Sequence, residues 1–217
     1  MDIDQVQRAA VARFAQQGFA ATGIRELGTA AGINSATLYH YVGSKQDLLM
    51  RIISDCLNAM IAGGRAAIAG EQQPTRQLAR LIAFHVAFIA TNPLTARVAE
   101  YEMRALTGPA QEQMQALRDH YESLFSKVLA AGQAAGEFAT DDPTMARLAV
   151  MEMGTGVAHW YRPDGRLSLS QVQQNFVAMA YRILAVTEAP QQLGDLLAIP
   201  RRLASEPATI QAQQTVS

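Results

Sequence analysis

The sequence predicts an all-α fold of about nine helices, and three observations carry that expectation. Apolar residues recur at three- and four-residue spacing along most of the 217-residue chain. No sustained alternation of β-branched residues interrupts them. Proline repeatedly stands at the first position of an apolar-periodic segment, at Pro74, Pro93, Pro109 and Pro143, where its fixed φ and missing N–H suit a helix start.

Taken in order, Val6, Ala10 and Phe14 form the stripe of a first helix, which ends where Gly18 in "QQGFAATG" supplies a C-terminal cap. A short helix follows through Ile24, Leu27 and Ala31, closed by Gly32. Ile33 is an apolar plug, and Asn34 or Ser35 caps a third helix over Ala36 to Tyr41. Ser44 and Asp47 read as a capping pair for a long fourth helix with Leu48, Leu49, Ile52, Ile53 and Leu57 on its apolar face, running towards Ala69. The proline starts then mark helices of about 74–91, 93–106, 109–135 and 143–162. After a break at "YRPDGR", Ser168 or Ser170 opens a last helix to about Val186, with Gln173 completing a capping box if Ser170 is the cap.

This organises the chain as a three-helix head over 1–45, a larger helical body over 46–199, and a tail over 200–217 that is polar, aperiodic and expected to be mobile. With 49% hydrophobic residues the chain buries a substantial core, which excludes global disorder. A net charge of -1 gives no long-range reason to seek nucleic acid or an anionic membrane, so any such contact depends on local placement. No apolar run reaches the roughly 20 residues of a membrane span, and "MDIDQVQRAA" lacks the pattern of a secretion signal, so the chain is expected to be cytoplasmic and away from membranes. The lone Cys56 lies in an apolar helical pattern and reads as a buried small hydrophobe.

The head carries the sharpest signal. Two short helices around a glycine turn, with Leu27, Ala30, Ala31, Ile33, Leu38 and Val42 as a small core, have the form of a helix-turn-helix. Ser35, Ala36, Thr37, Tyr39 and His40 then face outward, a surface of hydroxyls, a phenol and an imidazole without a carboxylate, suited to phosphates and base edges. The competing reading is an ordinary helical hairpin whose polar face is merely solvated.

At these residues the chain resembles a known family. "FAQQGFAATGIRELGTAAGINSATLYHYVGSKQDLL" is similar to the DNA-binding head of TetR-family transcriptional regulators, matching it without a gap at Gly18, Thr22, Arg25, Ala31, Gly32, Leu38, Tyr39, Tyr41, Lys45 and Leu48. The resemblance implies that Ala36 to Tyr41 is a recognition helix for the major groove of double-stranded DNA. It implies DNA contact by Thr22, Arg25, Ser35, Ala36, Thr37, Tyr39, His40, Tyr41 and Lys45, with Lys45 and Tyr39 on phosphates and Arg25, Thr37 and His40 nearer the bases. Gly23 departs from the pattern, which often has Ser or Thr there to cap the second helix, and this leaves phosphate contact to Thr22.

The resemblance also implies a ligand-responsive regulator, a repressor of a palindromic operator, acting as a homodimer through its last two long helices. On these, Ala149, Met153, Gly156, Val157, Val172, Phe176, Met179, Ala180 and Ile183 form broad apolar surfaces, which serve either a second subunit or an internal core. Between head and dimer helices lie Phe84, His85, Phe88, Tyr101, Arg104, Tyr121, Phe125, Met151, His159, Trp160 and Arg162. They line a small-molecule site or fill a helical core, and the resemblance favours the site.

"EYEMRAL", "RDHYESLF" and "HWYRPDGRLS" further resemble the ligand domain of a TetR subgroup controlling lipid, steroid and fatty-acid catabolism, which implies an acyl-CoA or other lipid-derived effector. Arg162 and Arg166 then either meet such a ligand or form an ion pair with Asp164 in the turn between them. Catalysis has no support: there is no phosphate-binding glycine loop, no nucleophile elbow, and His85, His120 and His159 lack partners at metal-ligand spacing, so neither cofactor nor metal is expected.

Overall fold

A computed structural model describes residues 3–186, and the tail over 200–217 lies outside them. The described residues are helical without strands: α1 (Ile3–Gln17), α2 (Ile24–Ala31), α3 (Ser35–Val42), α4 (Lys45–Ile68), α5 (Pro74–Thr91), α6 (Pro93–Tyr101), α7 (Pro109–Ala134), α8 (Pro143–Thr155), α9 (Val157–Trp160) and α10 (Leu169–Ile183). Nine of these have eight residues or more, as the apolar spacing predicts, and α9 is a four-residue remnant.

Local chemistry accounts for most boundaries. Gly18 and Gly32 take left-handed backbone, with φ of 85° and 74°, where α1 and α2 stop. Asn34 caps α3 by accepting from the Thr37 N–H at 2.8 Å. Ser44 and Asp47 form the expected pair at the start of α4, the Asp47 N–H donating to Ser44 Oγ at 3.0 Å. Asp142 accepts from the amides of Thr144 and Met145 ahead of Pro143.

Two boundaries differ from the spacing, and a third falls on one of its two alternatives. The helix expected over 93–106 stops at Tyr101 and is followed by a 3-10 turn, Met103–Ala105, which keeps Met103 and Leu106 buried. The helix expected over 143–162 breaks at Gly156, which caps α8. At the last helix Ser168 is the cap, closing a box with Gln171, and the helix ends at Ile183.

The chain divides into two compact units. The first holds the described residues through Ala59 with Leu94–Arg118. In it α1 packs on α2 and α3 around Val6, Ala10, Phe14, Leu27, Ala31 and Leu38. Ile33 and Val42 are half-buried, and Ala30, expected in this core, is exposed beside Ala9 and Ala12 of α1. The second holds Met60–Pro93 with the described residues from Asp119 onward. Its central element is α5, buried continuously from Leu81 to Ala90 and packed against α8, α9 and α10. Among the described residues no single helix is long and apolar enough to cross a membrane.

Candidate nucleic-acid interface and effector core

Most of the candidate DNA residues lie on α3. Leu38 points inward, fully buried, whereas Ala36, Tyr39, His40 and Tyr41 are exposed and Ser35 and Thr37 half-buried. Tyr39 is 49% exposed, so its phenol is available to a phosphate rather than to the protein core. Close approach of α2 to the turn before α3 requires Gly28, where a Cβ would lie 2.7 Å from the Ile33 carbonyl oxygen. Arg25 is exposed on the first turn of α2.

Among the nine candidate DNA residues, Thr22 and Lys45 have their side-chain donors engaged within the head. Thr22 is buried at 1% exposure, its hydroxyl donating to the Gly18 carbonyl at 2.7 Å. Lys45 donates from Nζ to the carbonyls of Phe19 and Thr22 at 2.8 and 2.9 Å. Its ammonium stands 4.2 Å from the Phe19 ring centre, a cation–π arrangement.

In the second unit, six of the eleven candidate ligand residues come together. His85 is buried, its ring stacked on Tyr121 with centroids 5.8 Å apart and edge-on to Phe125 at 6.1 Å. Nδ1 lies 3.0 Å from the Tyr121 hydroxyl and Nε2 3.3 Å from Thr155 Oγ1. Burial pushes the His85 pKa down to about 4, against a backbone hydrogen bond at Met151 that favours the charged form, so the imidazole is neutral at neutral pH. Phe84 and Phe88 form a second aromatic pair on α5 at 5.8 Å, and Met151 is half-buried.

The remaining candidates are elsewhere. Tyr101 and Arg104 are exposed in the first unit. His159, Trp160 and Arg162 are exposed at and beyond the end of α9, where Trp160 stacks on Phe176 at 6.3 Å and Arg162 donates to the Tyr161 carbonyl. Helical spacing identifies a face but not which faces meet, so it could not separate these groups.

Sequence reading missed Thr155 as a partner of His85, and two glycines that admit the His85–Tyr121 pair. A Cβ on Gly154 would stand 2.4 Å from His85 Cδ2, and one on Gly64 would stand 3.4 Å from the Tyr121 ring and 2.9 Å from Leu124. Gly154 thus makes room for His85 within the chain. Among the described residues no group of three or more His, Cys, Asp or Glu side chains is placed to hold a metal ion.

α8 leaves an apolar stripe in solvent. Met145, Leu148 and Ala149 are exposed at helical spacing, and on α10 Ile183 is exposed while Ala178 and Met179 are half-buried. Val157, Val172, Phe176 and Ala180, expected on the same surface, are buried within the chain.

Comparison with known proteins places these features. Residues 7–52 match the family described as bacterial regulatory proteins, tetR family, and residues 71–184 match the tetracyclin repressor-like C-terminal domain. The HTH-type transcriptional repressor KstR2 of Mycobacterium tuberculosis is 28% identical over 174 residues, covering 78% of this chain and 86% of that protein. A regulatory protein of the tetR family from Rhodococcus RHA1 superposes with a TM-score of 0.80 at 24% identity, over 87% of this chain and all 100% of that one. AibR, in a crystal structure with isovaleryl coenzyme A and operator DNA, superposes at 0.73 with 21% identity, over 80% of this chain and 95% of that one. These relatives are regulators rather than enzymes. The second match alone covers more than half of the chain, and the protein belongs to the TetR family of ligand-responsive, DNA-binding transcriptional regulators.

Proposed function

We propose that the protein is a homodimeric repressor that leaves a palindromic operator when a hydrophobic or acyl-CoA-like effector occupies its body. In this reading residues 1–45 bind DNA, residues 46–199 bind effector and form the dimer, and the protein works in the cytoplasm. The observation that carries it is α3: a capped helix with Ala36, Tyr39 and His40 exposed and no carboxylate, lying within the matched head over 7–52 and suited to serve as its recognition helix.

The apolar stripe of Met145, Leu148 and Ala149, with Ile183 on α10, supports the dimer, since a contiguous exposed apolar surface is the usual mark of an interface. The effector class draws support from the relatives: KstR2 is described as a ketosteroid transcriptional regulator, and AibR was crystallised with isovaleryl coenzyme A. The aromatic cluster around His85, Tyr121 and Phe125 with Met151 suits a lipid-derived group. Effector binding shifts the population of body conformations. The unbroken α4, from Lys45 to Ile68, carries that shift to the head, and affinity for the operator falls by the effector's preference between the two states.

Gel-shift titration tests the DNA surface: Tyr39→Ala and His40→Ala are expected to weaken binding to a duplex selected from a random pool by the wild-type protein, and unaltered binding by both removes α3 from the interface. Light scattering tests the dimer, which Leu148→Asp is expected to weaken. A monomeric wild type at micromolar concentration refutes it. Thermal-shift screening of acyl-CoA esters, free fatty acids and steroid ketones tests the effector, and no response to any thioester overturns the acyl-CoA reading.

A further inference from the structure

The C-terminal end of α1 is served by cations that do not belong to it. The last turn of α1 contains no basic side chain, so its terminal carbonyls, the negative end of the helix dipole, find no cation on their own helix. Arg97 of α6 donates from Nη2 to the Ala15 carbonyl at 3.1 Å, across 82 residues of sequence. Lys45, the first residue of α4, donates to the Phe19 and Thr22 carbonyls in the turn that follows α1 and covers the Phe19 ring.

Neither cation is well placed for its own helix. A lysine at the first position of α4 opposes the dipole of that helix, so the two carbonyls and the ring are what hold the ammonium. Arg97 Nε is buried without a hydrogen-bond partner, a desolvation cost that weighs against a purely stabilising part. The turn they grip is closely built. Gly18 has φ of 85°, Thr22 is buried and tied to Gly18, and the Phe19 ring packs edge-on to Phe14 at 5.3 Å. α2 follows this turn directly, and only Gly43 and Ser44 separate α3 from α4. Fixing the turn to the first residue of α4 therefore fixes α2 and α3 from both ends.

We infer that Lys45 and Arg97 are positioning residues for operator binding: they lock the end of α1, and with it the helix-turn-helix, to α4 and α6, and Lys45 acts through the Phe19 and Thr22 carbonyls rather than through a DNA phosphate. The inference rests on the head being the DNA-binding part.

The test uses the full-length chain with Lys45→Met and Arg97→Met, titrated by fluorescence anisotropy at several salt concentrations. The probes are a duplex selected from a random pool by the wild-type protein and an unrelated duplex. Failure of the wild type to select any duplex overturns the DNA-binding reading itself. Given a selected duplex, each variant is expected to lose about fivefold or more in affinity for it, with the salt slope and the affinity for the unrelated duplex unchanged. Arg97→Lys, which keeps a cation for the Ala15 carbonyl, is expected to recover much of the loss. A phosphate contact removed from each protomer of a dimer would instead reduce the slope of log K against log salt by about 1.8 and weaken both duplexes alike, and that result overturns the assignment of Lys45. Wild-type affinity in both variants overturns the whole proposal. If Lys45→Met does not fold, Lys45→Gln, which retains a donor for one carbonyl, carries the same readout.

Discussion

Replacing Gly154 by alanine probes the closed centre of the second unit directly. The added Cβ would lie 2.4 Å from His85 Cδ2 and 2.8 Å from Nε2. Favourable carbon contacts fall at about 3.5–4.0 Å, so the overlap is about 1 Å. The imidazole has no easy retreat. It is stacked on Tyr121, edge-on to Phe125, and held through Nδ1 at 3.0 Å and Nε2 at 3.3 Å. Either the ring moves and surrenders hydrogen bonds, or α8 withdraws from α5 and loosens their packing. Overpacking of this kind costs about 1–3 kcal/mol. A chain of this size loses about 2–4 °C in Tm per kcal/mol, so Gly154→Ala is expected to unfold about 2–12 °C below wild type. Gly156→Ala is the control, because its Cβ would meet carbonyl oxygens at 3.4 and 3.5 Å in helical backbone. It is expected to match or exceed wild type. Differential scanning calorimetry reads both, and a second measurement, His85→Ala in the Gly154→Ala background, should recover part of the loss. A Gly154→Ala protein melting with wild type refutes the view that His85 occupies the space a side chain would need.

Other outcomes follow from single contacts. His85 has its folded pKa lowered to about 4 from an ordinary 6.5, so the unfolded chain binds more protons between those values. Its contribution is complete above pH 6.5 and is lost as pH falls towards 4, about 3 kcal/mol in all; His85→Asn should flatten that part of the urea-unfolding profile against pH. Glu137 accepts from both the backbone N–H and the hydroxyl of Thr75, at the second position of α5, and Thr75 is 1% exposed. Glu137→Ala leaves those donors stranded and is expected to cost about 1–3 kcal/mol in chemical denaturation; a smaller change means water replaces the carboxylate. Gly23 caps α2 with extended backbone, no side-chain hydrogen bond and nothing within 4 Å of a Cβ. Gly23→Ser should therefore add a few tenths of a kcal/mol, read as a slightly raised Tm, and a lowered Tm would show that the hydroxyl does not reach the α2 amides.

Much of the fold was legible because its signals are local. Asn34, Asp142 and the Ser44–Asp47 pair cap helices using atoms within three residues, so the sequence alone identifies them. The break at Gly156 was not legible, because Gly156 itself keeps helical backbone, with φ of -56° and ψ of -20°, and the contact of His85 with Gly154 joins residues far apart in sequence. Ser168 and Ser170 offered equivalent caps, and the choice between them lies in which glutamine, Gln171 or Gln173, stays outside. Gln173 is buried and donates to the Ala83 carbonyl, which leaves Gln171 to close the box. The candidate site divided along the same line. Phe84, His85, Phe88, Tyr121 and Phe125 share an apolar period and are buried together, whereas Tyr101, Arg104 and Trp160 have the right chemistry on faces that meet solvent.

The near-neutral head is the feature in which sequence and structure combine most usefully. The stretch from Gly23 to Leu49 sets Arg25 and Lys45 against Glu26 and Asp47. In the folded head Glu26 lies 3.4 Å from Arg13, Asp47 is hydrogen-bonded to Ser44, and Lys45 is engaged with carbonyls. The polar side chains that α2 and α3 show to solvent are Arg25, Thr29, Tyr39, His40 and Tyr41, more hydrogen-bonding capacity than charge. Counterion release scales with the number of cations brought to phosphates, so such a surface gains little from electrostatics alone and binds arbitrary DNA weakly. In the proposed dimer, discrimination then comes from shape: how accurately α3 is held, and how the two heads are spaced along a duplex. A head of this composition therefore has more to gain from residues that fix its geometry than from further charge, which is the part that the carbonyl contacts of Lys45 and Arg97 are suited to play.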